Sequence, residues 1–231
     1  MKPIKKSLLV AYLLVVILHL YAIIVGDESI VRFTKPILMP LLLAFVMRSL
    51  PSTAYRLPLL MGLFFSWLGD ILLMHQTDNS LFFVFGLSAF LIAHIAYVWA
   101  YAKAQGKSGI PSVYKLGVSL VFLGYAGFFV YQLWADLGEM RIPVTLYALV
   151  ISAMLSAAAF RLKATTAESF RWVLLGALCF ALSDSLLAVN KFSEAIPNAS
   201  FLIMLTYTLA QGAIAWGMIK YQNYDDAKRV L

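Results

Sequence analysis

Two aspartates stand where a carboxylate is expensive. Asp70, in Gly69-Asp70-Ile71-Leu72-Leu73, and Asp184, in Ser183-Asp184-Ser185-Leu186-Leu187, each interrupt a long apolar run, whereas the other nine acidic residues fall in connecting segments. A charged carboxylate at the centre of a membrane span costs about 3 kcal/mol or more unless it is protonated or partnered, so each is a functional candidate by default. Two carboxyls in one low-dielectric site do not ionise together, so an acid and a base coexist, which suits hydrolysis. The plainer alternative is that each aspartate hydrogen-bonds a Ser, Tyr or Lys and ties helices together.

Other polar side chains fall nearby. His94 and Tyr97 share a helix face, as do Tyr207 and Gln211, four residues apart. Tyr147 belongs to the same set, and Lys35 and Lys191 flank the outer ends of two spans. Each has an ordinary reading alone; together with two aspartates they exceed what a scaffold needs.

The elements that must position these residues are membrane spans. The chain has 231 residues, 62% hydrophobic and 13% charged, with a mean hydropathy of +0.86, far from the roughly 25% charged residues of a soluble domain. The apolar runs lack the alternation of a membrane β-barrel strand, so the expected fold is all-α: a polytopic integral membrane bundle of eight transmembrane helices in a single domain. The expected spans are 7–25, 36–50, 57–75, 81–102, 113–134, 142–160, 171–189 and 199–219, with turn-forming residues in between. Pro36 and Pro143 are read as lying one or two residues into a helix, where a missing N–H costs nothing. The first apolar stretch is too long for a signal peptide and is kept as helix one. Cys179, the single cysteine, permits no intrachain disulfide. Gly117, Gly124 and Gly127 in helix five are read as close helix packing.

With the N-terminus inside, 14 of the 18 Lys and Arg residues fall on the inner side; only Arg32, Lys35, Arg141 and Lys191 fall outside. That asymmetry predicts both termini in the cytoplasm. It also accounts for the net charge of +7 without nucleic acid. Asp70 and Asp184 each fall thirteen residues past their expected helix starts, on helices related by a shift of four. Lys35-Pro36 echoes Arg141-Ile142-Pro143 in helices two and six. A tandem 4+4 repeat explains these echoes; chance recurrence of a short pattern is the alternative.

Five motifs in order resemble those of the YhhN-like family of membrane lysoplasmalogenases: Lys35-Pro36, Ser66-x-x-Gly69-Asp70, Phe90-x-x-Ala93-His94-x-x-Tyr97, Gly176-Ala177-x-x-Phe180-x-x-Ser183-Asp184 with Lys191-Phe192 after it, and Tyr207-x-x-x-Gln211. The resemblance covers nearly the whole chain. It implies hydrolysis of the vinyl ether bond of a lysoplasmalogen to a fatty aldehyde and a glycerophospho-alcohol, with the family's paired aspartates at Asp70 and Asp184. Vinyl ether chemistry needs one protonated carboxyl and one carboxylate, as in two-carboxylate glycosidases. His94, Tyr97, Tyr207 and Gln211 would orient the pair or a water, and Lys35 and Lys191 would hold a lipid phosphate. The expected partners are a lysophospholipid substrate and the bilayer. No cofactor or metal is expected, oligomeric state is open, and a bacterial inner membrane is the expected location.

Two rival readings exist. A zinc hydrolase would need about three ligands, and the three histidines, His19, His75 and His94, form no His-x-x-x-His pair. A proton-coupled transporter or lipid-binding protein would also use buried carboxyls, but the sequence suggests no span broken at its middle by Gly and Pro.

Overall fold

A computed structural model of the chain describes residues 3–106 and 109–230, with side chains for 4–106 and 109–221. Lys2, Lys107, Asp225, Asp226, Lys228 and Arg229, which enter the charge count, lie outside the described side chains. The described residues form eight α-helices, each long and apolar enough to cross a membrane: α1 (Pro3–Val25), α2 (Glu28–Ser49), α3 (Arg56–Met74), α4 (Leu81–Lys103), α5 (Ser112–Leu133), α6 (Arg141–Ala159), α7 (Ala167–Phe192) and α8 (Ala199–Val230). A short 3-10 turn, Gly138–Met140, leads into α6, and no strand occurs among the described residues. The chain divides into two compact units, Met1–Ala100 and Tyr101–Leu231.

In the first unit α2 begins eight residues earlier than expected. The Asp27 carboxylate accepts a hydrogen bond from the Ile30 N–H at 3.0 Å, and Glu28 adds negative charge to the first turn. Lys35 is therefore two turns inside the helix rather than at its mouth, and both Pro36 and Pro40 lie in its interior. Each proline removes one i→i−4 bond. The bond that Pro40 cannot make would have gone to the Pro36 carbonyl, and the Trp67 indole N–H of α3 donates to that oxygen at 2.9 Å instead. Helix α2 nonetheless runs unbroken through both prolines, and an indole from the next helix replaces one lost donor.

Helix α3 packs on α4 through notches. A Cβ on Gly69 would lie 2.6 Å from the Phe90 ring, one on Gly62 would overlap the Tyr97 ring, and one on Gly86 would lie 2.8 Å from Leu73. The three pairs follow a single antiparallel register: as α3 advances from Gly62 through Gly69 to Leu73, α4 recedes from Tyr97 through Phe90 to Gly86. Such close approach is what holds helices together in lipid, where apolar burial between helices gains little.

The second unit uses the same device. A Cβ on Gly176 of α7 would meet Ala210 O of α8 at 2.8 Å, and one on Gly217 would meet Val173 N at 2.9 Å. Hydrogen bonds bracket this contact: Ser169 Oγ donates to Gly217 O at 2.7 Å and Ser183 Oγ to Ile203 O at 3.1 Å. Thr166 caps α7 by accepting from Ser169 N, so α7 starts at Ala167 rather than 171. By these boundaries Asp70 lies fourteen residues past the start of α3 and Asp184 seventeen past that of α7, and the expected equality of the two counts does not hold.

Two further expectations are corrected. Arg161, counted among the loop charges, is fully buried. Its guanidinium donates to the Tyr101 and Ala104 carbonyls and to Ser169 Oγ, and it lies 5.4 Å over the Tyr221 ring. Tyr221 is accordingly a buried residue within α8. Gly117, Gly124 and Gly127 of α5 have no heavy atom within 4 Å of a Cβ, so they receive no close-packed helix.

Candidate functional site

In the first unit Asp70 is 3% exposed although it sits in an apolar span. Helix α3 turns Ser66, Gly69 and Asp70 toward the interior, and the Gly69 notch draws α4 close enough to bring its polar face alongside. On α4, His94 and Tyr97 are completely buried, and His94 Nδ1–H donates to Phe90 O at 2.6 Å, because a carbonyl can only accept. The Tyr97 ring fills the Gly62 notch. Helix α1 supplies Tyr12, 2% exposed and within electrostatic reach of both Tyr97 and Asp70. A nearly buried carboxyl on α3 thus faces the Tyr12 phenol of α1, and that phenol in turn is near Tyr97 of α4. Ser66 Oγ, also buried, makes no hydrogen bond among the described residues.

In the second unit Asp184 is partly buried, and the Tyr147 phenol of α6 donates to its Oδ2 at 2.8 Å. Beside them Ser185 Oγ gives its hydrogen to Ala181 O at 2.6 Å and so accepts from the Tyr125 phenol at 2.7 Å. These four polar groups line one side of a cavity of about 40 Å³ whose remaining wall includes Phe129 and Val144. That is room for roughly three water molecules beside a carboxylate.

The expected site residues therefore separate into groups. Ser66, Asp70, His94 and Tyr97 are all buried within the first unit, and Tyr147 meets Asp184 in the second. Lys35 is half-buried and lies near His19. Tyr207 and Gln211 are buried on α8, Tyr207 with its ring edge-on to Phe180 at 5.6 Å. Ser183 spends its hydroxyl on Ile203 O and acts as a helix tie, whereas its neighbour Ser185 faces the cavity. Lys191 is exposed in the last turn of α7. Tyr12, Tyr125 and Ser185 were not singled out; a tyrosine at mid-span, away from the membrane interface where tyrosines collect, was the one available signal.

The three histidines have separate partners: His19 Nδ1 meets Thr34 Oγ1 at 2.7 Å, His75 meets Asp78 at 3.0 Å at an exposed position, and His94 meets Phe90 O. Among the described residues no three His, Cys, Asp or Glu side chains gather to hold a metal ion.

Eight membrane-length helices, with a carboxyl and a phenol close together within each unit, define a multi-pass membrane protein. The family model of the YhhN family matches residues 30–218, and the chain belongs to that family. It is 34% identical over 161 residues to human lysoplasmalogenase TMEM86B, covering 70% of this chain and 63% of that protein. It is 30% identical over 161 residues to the lysoplasmalogenase of Mycobacterium bovis, covering 65% and 59%, and 35% identical over 133 residues to lysoplasmalogenase TMEM86B of Sus scrofa, covering 58% and 52%. The match spans between half and two thirds of the length of these relatives. No solved structure matches the chain.

Proposed function

We propose that the chain is an intramembrane ether hydrolase that cleaves the vinyl ether bond of a lysoplasmalogen, releasing a fatty aldehyde and a glycerophospho-alcohol. The observation that carries this reading is Asp70, 3% exposed among phenols in a membrane-length helix. Relatives named lysoplasmalogenase support the substrate class.

The chemistry needs a proton donor and a base. A carboxylic acid protonates the β-carbon of the vinyl ether, leaving an oxocarbenium ion at the carbon bonded to oxygen. A carboxylate stabilises that cation and takes a proton from water as the water oxygen attacks. The resulting hemiacetal loses its hydroxyl proton, its C–O bond to glycerol breaks, and the departing oxygen takes up a proton. One water is consumed. In this reading Asp70 and Asp184 divide the two carboxyl roles, by the logic of two-carboxylate glycosidases. The Tyr147 hydrogen bond holds Asp184 in one orientation, and His94, Tyr97, Tyr207 and Gln211 are positioning residues. Lys35 and Lys191 attract the lipid phosphate. Both termini face the cytoplasm by the charge asymmetry.

The test is aldehyde release by purified protein from a lysoplasmalogen, with sn-1 alkyl and sn-1 acyl lysophospholipids as controls. Aldehyde from the vinyl ether alone is the expected result; none over a range of pH and lipid conditions would overturn the reading.

One observation favours a second reading. Pro36 and Pro40 lie inside the unbroken membrane-length helix α2, and proline within a span is one pointer to a transport site. Proton-coupled lipid transport would appear as uptake by proteoliposomes without product formation.

A further inference from the structure

The Thr34 hydroxyl has one hydrogen and two close neighbours, Ile30 O at 2.7 Å and His19 Nδ1 at 2.7 Å. A carbonyl cannot donate, and two oxygens at that distance without a hydrogen between them repel. The Thr34 hydrogen therefore goes to Ile30 O, and His19 Nδ1–H donates to Thr34 Oγ1. The tautomer is thereby set, and His19 Nε2 presents a lone pair. His19 is fully buried, and Nε2 meets no hydrogen-bond partner among the described residues. A buried polar atom left in that state requires an explanation.

Its position supplies one. His19 lies seven residues along α1 from Tyr12, on the same face and about 10 Å further along the helix. Tyr12 is within electrostatic reach of Asp70, and Lys35, next to Thr34 on α2, is within electrostatic reach of His19. A carboxyl, an acceptor and a cation thus all belong to the first unit, linked through Tyr12 and Thr34. A lysoplasmalogen carries complementary groups: the vinyl ether, the free sn-2 hydroxyl and the phosphate.

We propose that His19 is a specificity-determining residue whose Nε2 accepts a hydrogen bond from the free sn-2 hydroxyl of a lysophospholipid while Lys35 faces its phosphate. This deepens the hydrolase reading and rests on it for the substrate class. A lipid acylated at sn-2 has no hydrogen to offer and would push an ester against a buried imidazole, so the device selects lyso lipids over diacyl ones.

Binding tests the inference without turnover. The probes are a saturated sn-1 O-alkyl lysophosphatidylethanolamine, which has no vinyl ether to cleave, and its 2-deoxy counterpart, titrated into detergent-solubilised full-length protein. Wild type is expected to bind the hydroxyl lipid roughly tenfold more tightly, the scale of one hydrogen bond to a buried acceptor. In His19→Leu the two lipids should bind equally, at the wild-type affinity for the deoxy probe. His19→Phe carries the same expectation should the leucine variant fail to fold. Lys35→Met should weaken both lipids by the same factor. Equal binding of both probes by wild type, or binding of neither, would overturn the proposal, as would a full hydroxyl preference surviving in folded His19→Leu or His19→Phe. Aldehyde release by wild type reports on the hydrolase reading separately, so the two can fail independently.

Discussion

Replacing Gly176 by alanine adds one methyl group where α8 leaves no room. The new Cβ would lie 2.7 Å from Ile214 Cγ1, 2.8 Å from Ala210 O and 2.9 Å from Ile214 N. Two of those atoms are backbone, so no rotamer change relieves them. Reaching the 3.5–4.0 Å of comfortable contact requires the helices to separate by several tenths of an ångström or more. That movement stretches the Ser169–Gly217 and Ser183–Ile203 hydrogen bonds on either side of the notch. Overpacking of this kind costs about 1–3 kcal/mol, which for a chain of this size lowers Tm by roughly 2–12 °C. Gly117→Ala is the matched control: its Cβ would meet nothing within 4 Å, and alanine is the better helix former, so Tm should hold or rise slightly. Thermal unfolding of both variants in one detergent reads the difference. Equal Tm shifts would refute the assignment of Gly176 to a close α7–α8 contact.

The remaining predictions concern hydrogen bonds. Tyr147→Phe removes a phenol that donates to Asp184 Oδ2 at 2.8 Å; a hydrogen bond to a charged group is worth about 1.5–3 kcal/mol, so aldehyde release by the folded variant should fall by roughly 10- to 150-fold in kcat/KM. Activity within twofold of wild type would remove Tyr147 from the mechanism. Trp67→Phe keeps the ring but leaves the Pro36 carbonyl without its donor, and should lower stability by about 1–3 kcal/mol in the same unfolding assay; an unchanged Tm would show that this carbonyl finds another partner.

All eight spans were legible because a membrane demands length and apolarity and little else. Helix starts were less so. Lys35-Pro36 reads as the opening of a helix because proline is at home in a first turn, yet the true start is set by Asp27, and the cost of interior prolines is offset by an indole thirty-one residues away. Thr166 likewise starts α7 ahead of its apolar run. Arg161 looked like any loop cation because its carbonyl partners at Tyr101 and Ala104 are almost sixty residues earlier. Within the candidate site, Asp70 and Asp184 stood out because charge is scarce in an apolar run. Choosing between Ser183 and Ser185 requires the rotational phase of α7, and Tyr12 gains meaning only from the carboxyl that folding brings within its reach.

The most direct test of the central claim is the rate of aldehyde release from a lysoplasmalogen by wild type, Asp70→Asn and Asp184→Asn, with each variant shown to unfold at the wild-type temperature. Asparagine keeps the shape and removes the acid. Positioned proton transfer contributes about 10²–10⁴ in rate, so each variant should lose at least a hundredfold. A folded variant that releases aldehyde at the wild-type rate would contradict the assignment of that carboxyl to the reaction.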